Sequence, residues 1–203
     1  MAISIPRLGG WVAVAMATMQ TPAFAHHVMD GELPRTFVQG FLSGLGHPVI
    51  GLDHLGAIVG VGILAALAGR GVGPVFAFSA AVIAGVGLHL AKASFPASEV
   101  LVGLSTLVLG GLVVLGVSMR PVVAAALFAV AGLLHGYALG ESIVGAEPTP
   151  LAAYLAGLLI IQTAVSLACY AAVRSLARWP VRVIGVLVAL AGGATAAFAA
   201  GLA

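Results

Sequence analysis

The segment Gly46-His47-Pro48-Val49-Ile50-Gly51-Leu52-Asp53-His54-Leu55 places two imidazoles and a carboxylate close together in an otherwise apolar stretch. Neutral imidazole binds nickel, copper, zinc and cobalt, and a carboxylate offsets the charge of a divalent cation. A straight helix would carry His47 and His54 on one face, but about 10 Å apart along its axis. That is too far for one ion. Either the helix breaks around Pro48 or Gly51, or the two histidines are successive stations on one path. Proline suits the first turn of a helix, so the expectation is that Pro48 opens the helix and His47 projects from the loop before it. The competing reading is structural, with all three side chains bonded across helices to fix packing.

Two more histidines lie in apolar stretches. His89 sits in Gly85-Val86-Gly87-Leu88-His89-Leu90, and His135 in Leu133-Leu134-His135-Gly136-Tyr137. Glu141 follows His135 too far along to share its face on an intact helix, although Gly136 and Gly140 permit unwinding. The candidate metal ligands are therefore His47, Asp53, His54, His89, His135 and Glu141. For His89 an interhelix hydrogen bond is the plain alternative, and for Glu141 a solvated loop. Gln162, Thr163 and Ser166 form a polar stripe that suits either interhelix bonding or the lining of a path. No nucleophile or general base stands apart from these groups, so neither a catalytic residue nor a resident cofactor is expected.

The elements that position these residues must be membrane helices. The chain has 203 residues, is 62% hydrophobic and only 7% charged, and its mean hydropathy is +1.20. Soluble domains carry about 25% charged residues, so lipid is the solvent that this composition fits. The formal net charge of +2 contains no basic run, which excludes nucleic acid as a partner. Cys169 is the sole cysteine and cannot form an internal disulfide. Residues 1–25 read as a cleavable signal peptide: Arg7, a short apolar core, then Ala23-Phe24-Ala25. An uncleaved first helix is the rival. Cleavage would leave His26-His27 at a new N-terminus.

Residues 26–203 then form one all-α domain, a polytopic bundle of six transmembrane helices. A short run from Thr36 to Leu45 leads into a first span at about 47–69. The others fall at about 75–91, 100–118, 122–139, 151–173 and 181–201. With the mature N-terminus outside, the inner loops hold Arg70, Arg120, Arg174, Arg178 and Arg182, and the outer segments only Arg35 and Lys92. That is the positive-inside bias. It predicts a bacterial inner-membrane protein with a periplasmic N-terminus, lipid around it, and all four intramembrane histidines in the outer half. Histidine-glycine segments in the first and fourth spans hint at a three-plus-three inverted repeat. Small residues four apart, in Gly40-Phe41-Leu42-Ser43-Gly44 and Gly56-Ala57-Ile58-Val59-Gly60, read as close-packing faces within one subunit or between copies in a homo-oligomer.

The stretch from His47 to Gly62 resembles the signature of the HupE/UreJ family of nickel and cobalt permeases: a histidine, five residues, then Asp-His in the first mature span. His135-Gly136-Tyr137-Ala138 resembles the start of that family's second motif. The resemblance implies that His47, Asp53, His54 and His135 take part in metal uptake, with the ion as cargo. The second motif commonly has a further histidine where this chain has Leu139, and its acid falls one position later than Glu141. The expected function is a secondary permease for nickel or cobalt. The rivals are a metal-binding accessory protein and an intramembrane metalloenzyme. No G-x-x-x-x-G-K-[ST] loop is present, so direct use of ATP by this chain is not expected.

Overall fold

The computed structural model describes residues 32–69, 71–175 and 178–202. The expected signal peptide, His26, His27 and Arg70 lie outside them. The described residues contain only helices: α1 (Phe37–Ile50), α2 (Leu52–Ala68), α3 (Gly73–Leu90), α4 (Ser98–Leu115), α5 (Pro121–Gly140), a 3-10 turn (Glu141–Ile143), α6 (Pro148–Val173) and α7 (Arg178–Ala199). Helices α3 to α7 are each long and apolar enough to cross a membrane, and their bounds lie close to the expected ones. Large apolar side chains such as Leu104, Val108, Val130, Ile160 and Leu187 point outward, as lipid requires. The chain is a multi-pass membrane protein.

The first span departs from expectation. Instead of one helix there are two, α1 and α2, bent by 81° at Gly51. The run from Thr36 is itself helical. The Thr36 hydroxyl accepts from the Gln39 N–H, and the Gln39 side chain accepts from the Thr36 N–H, a reciprocal cap on α1. Pro48 does not open a helix. It lies inside α1, where its ring removes the N–H that would reach the Gly44 carbonyl. The helix stops soon after, and Gly51, with φ −72° and ψ 110°, turns the chain into α2. His47 therefore sits in the last turn of α1, not in a loop.

Glycine lets helices touch backbone to backbone in several pairs, among them α3 with α5, α1 with α6, and α4 with α7. A Cβ on Gly85 would meet Leu133 O, Tyr137 N and Gly136 C. A Cβ on Gly157 would meet Phe41 O, Leu45 N and Gly44 C, the same atoms at positions 92 lower. Likewise Gly132 and Gly136 abut Phe78 and Val82, while Gly40 and Gly44 abut Pro150 and Tyr154. One offset, 92, relates α1 to α5, and another, 72, relates α3 to α6. The contacts advance together in α3 with α5 and in α1 with α6, so those pairs are parallel, whereas α4 and α7 are antiparallel. Exchanging the two halves, α1–α4 and α5–α7, maps each of the first two pairs onto the other and the third onto itself. This is an inverted repeat with a two-fold axis through the α4–α7 pair. The two offsets differ by 20 residues, about the length of α2 with its flanking turns. Helix α2 is the element without a counterpart.

The backbone contacts make a test of the packing. Gly44→Val and Gly136→Val would each drive a side chain into a facing helix backbone, at a cost of about 3 kcal/mol. A Cβ on Gly87 or Gly111 would meet nothing within 4 Å, so valine there should be harmless. Thermal denaturation of the detergent-solubilised variants, followed by size exclusion, is expected to separate the two sets.

Candidate metal site

Helix α2 begins against α4 and α5. Asp53, buried in its first turn, accepts the His54 N–H on Oδ1 at 2.8 Å. That N–H is one of the donors that a helix start leaves unsatisfied, and a negative charge there is favoured by the helix dipole. The fold thereby compensates part of the insertion cost of an intramembrane carboxylate, about 3 kcal/mol.

His54 reaches from α2 to His135 on α5. Their Nδ1 atoms are 2.7 Å apart, and the rings meet edge to face at 71° with centroids 4.9 Å apart. His135 is fully buried, whereas His54 keeps partial exposure. On the far side of the His135 ring, Nε2 lies 3.0 Å from Ser105 Oγ and 3.3 Å from Thr106 Oγ1, both on α4. The Thr106 hydroxyl is also 3.1 Å from the Asp53 carbonyl oxygen. Thus α2, α4 and α5 are tied together at one point by polar atoms in an apolar bundle.

Polar contacts close the bundle on either side of the pair. One turn along α5 from His135, the Leu139 carbonyl accepts from the buried Tyr154 hydroxyl of α6 at 2.8 Å, and Ser142 stands 3.0 Å from the same hydroxyl. In the other direction, Gly132 abuts Phe78. Next to Phe78, Ser79 Oγ lies 2.9 Å from Thr163 Oγ1, joining α3 to α6. Gln162 Nε2 points at the Ser79 carbonyl from 3.5 Å. Two members of the polar stripe in α6 are thus spent between helices, and Ser166 donates to the Ile58 carbonyl at 2.9 Å.

The other candidates lie apart from the His54–His135 contact. His89 packs its ring on Tyr137, with centroids 4.6 Å apart, and its Cβ sits where a side chain on Gly140 would go. Its Nδ1 is enclosed without a hydrogen bond. Glu141 is exposed in the 3-10 turn. His47 is buried on α1. Among the described residues, no three His, Cys, Asp or Glu side chains converge tightly enough to hold one ion. The preformed element is a pair of imidazoles with a carboxylate beside it.

The sequence profile described as HupE / UreJ protein matches residues 14–197. The chain belongs to the HupE/UreJ family. Among curated proteins it is similar to Protein HupE of Rhizobium leguminosarum bv. viciae, 34% identical over 132 residues. The match covers 64% of this chain and 66% of that relative, a little under two thirds of its length. No solved structure matches. In this HupE/UreJ chain the two segments that carried the resemblance meet in space, because His54 of the first touches His135 of the second. Leu139, which stands where a second motif histidine was expected, is buried and is the repeat counterpart of His47 at the offset of 92. Ser105, Thr106 and Tyr154 were not singled out from the sequence. Two adjacent hydroxyls in the middle of an apolar span were the available signal for the first two.

Proposed function

We propose that the protein is a secondary permease that takes up a divalent transition metal, nickel or cobalt, across the bacterial inner membrane. The observation that carries this reading is the Nδ1-to-Nδ1 approach of His54 and His135 within the helix bundle. An ion about 2.1 Å from each nitrogen would subtend roughly 80° at the observed 2.7 Å separation. That is near the cis angle of about 90° in square-planar or octahedral coordination, geometries that suit nickel. Asp53 offsets the ion's charge, and the remaining positions stay with water. Two protein nitrogens hold an ion weakly enough to release it, which conduction requires.

In this reading α1 and α2 form one broken span, giving six crossings. Their contacts advance along α6 from Pro150, through Tyr154, to Ser166 and Cys169, as a single inward passage would. The end that carries Glu99, Glu141 and Glu147 faces the periplasm, by the arginine asymmetry of the loops. Tyr154 with the Leu139 carbonyl closes the route above the pair, and Ser79 with Thr163 closes it below. Opening these two contacts alternately moves the ion, and an inverted repeat is the architecture that permits such exchange. His89 and Glu141 lie toward the entrance.

Purified protein in sealed vesicles, loaded with a nickel-sensitive dye, tests the reading. Protein-dependent entry of nickel is expected, and its response to an imposed proton gradient would identify the coupling. Metal binding without entry would reject the permease in favour of an accessory protein. Chemical turnover without flux would favour a metalloenzyme.

A further inference from the structure

We infer that Ser105 and Thr106 are positioning residues that select the tautomer of His135 and so decide which of its nitrogens is offered to the metal. The inference rests on the metal reading of the His54–His135 pair given above.

A serine or threonine hydroxyl has one hydrogen to donate, and a neutral imidazole has one N–H and one lone pair. Ser105 Oγ lies 2.8 Å from the Val102 carbonyl oxygen. Thr106 Oγ1 lies 3.1 Å from the Asp53 carbonyl and 3.2 Å from the Val102 carbonyl. Each hydroxyl hydrogen thus has a carbonyl to bond, and each oxygen keeps lone pairs directed elsewhere. His135 Nε2 faces both oxygens, at 3.0 and 3.3 Å. If Nε2 carries the proton, it donates to both and every group is satisfied. If Nε2 carries the lone pair, at least one hydroxyl must abandon its carbonyl, and the other oxygen confronts a lone pair at short range. In a bundle where Thr106 and His135 are buried, that mismatch is not relieved by solvent.

The Nε2–H form leaves Nδ1 with the lone pair, and Nδ1 is the atom that faces His54. Without metal, His54 Nδ1–H donates to it. With metal, the ion takes that lone pair while Ser105 and Thr106 hold the ring from behind, and His54 carries its proton on Nε2 instead, so that its own Nδ1 is free to bind. Outer partners of this kind fix ring orientation and tautomer, and their loss weakens metal binding by about 10-fold to 100-fold. Thr106 has a second effect, since its hydroxyl also ties the start of α2 to α4 through the Asp53 carbonyl.

The test uses full-length protein with nitrogen-15 histidine in detergent micelles. His135 is assigned by loss of its signal in His135→Asn. In the metal-free protein, His135 is expected as the Nε2–H tautomer. Ser105→Ala with Thr106→Val, which keeps the volume near Gly56, is expected to shift it toward Nδ1–H and to weaken nickel binding about 10-fold or more. Thr106→Ser, which restores the hydroxyl, should return both readouts close to those of the unaltered protein, which a packing role for the threonine methyl would not do. An Nδ1–H tautomer in the unaltered protein would overturn the inference. A tautomer shift with unchanged nickel affinity would overturn the assignment as metal-positioning residues. If the tautomer behaves as expected but the unaltered protein binds neither nickel nor cobalt, the permease reading itself has failed.

Discussion

Cells that produce His135→Ala are expected to take up labelled nickel at background level, and His54→Ala is expected to do the same. Each change removes half of the proposed two-nitrogen site. The remaining imidazole belongs to no group of three or more ligating side chains that could hold the ion instead, among the described residues. The double variant should be no worse than either single one, since residues that act as a unit lose their effect together. His135 is also a buried ring set between Ser105, Thr106 and Phe78, and its truncation leaves a cavity that lowers stability. His135→Asn separates the two effects. The shorter amide retains a polar group to bond Ser105 or His54 while providing a poor metal ligand. Membrane levels of His135→Asn should approach those of the unaltered protein, with uptake still lost. His89→Ala, remote from the pair and packed on Tyr137, should leave most uptake intact. Normal nickel uptake by both His54→Ala and His135→Ala at matched protein levels would remove the pair from the transport path.

Much of this site was legible in the sequence because membrane burial makes polar side chains conspicuous. Asp53, His54 and His135 stand out against apolar neighbours, and each needs a partner in lipid. The five spans from α3 onward were marked by length, glycine or proline boundaries and loop charge. The break at Gly51 was one of two alternatives that the spacing of His47 and His54 left open. Its neighbour Pro48 misled, since proline is common in a first turn and rare inside a helix. What placed it inside α1 was the capping box at Thr36 and Gln39, which starts the helix early enough to carry through it.

Which histidines meet was not legible, because helix periodicity gives the face of a residue and not its depth or tilt against another helix. The glycines show the same limit from the other side. Their four-residue spacing in α1 announced a close contact, but only the structure showed that α1 meets α6 with the atoms that α5 uses to meet α3. The two halves preserve this backbone contact while their side chains diverge: His47 is matched by Leu139, and His135 by Ser43. That divergence hides the repeat from sequence comparison and builds an asymmetric site from a symmetric frame. The element that breaks the symmetry, α2, carries Asp53 and His54.

If the two glycine-packed pairs move as arms, locking them together should stop transport. Ser79 of α3 and Thr163 of α6 offer the place, with side-chain oxygens 2.9 Å apart on opposite arms. In a Cys169→Ala background, Ser79→Cys with Thr163→Cys puts two sulfur atoms where those oxygens lie, and a small shift completes a bond of about 2.05 Å. Oxidation is expected to abolish nickel entry into vesicles, and a membrane-permeant reductant to restore it. Nickel should still bind the oxidised protein, because the His54–His135 pair lies beyond the lock. A disulfide within one arm, between α3 and α5, should leave entry unchanged, which distinguishes a blocked motion from general damage by oxidation. Tyr154→Phe acts at the opposite closure. Loss of the hydroxyl that the Leu139 carbonyl and Ser142 share favours the state open above the pair, so nickel should associate faster while net entry slows. Full nickel entry through a quantitatively cross-linked Ser79–Thr163 variant would show that the arms do not separate there, and that the ion passes the bundle by another route.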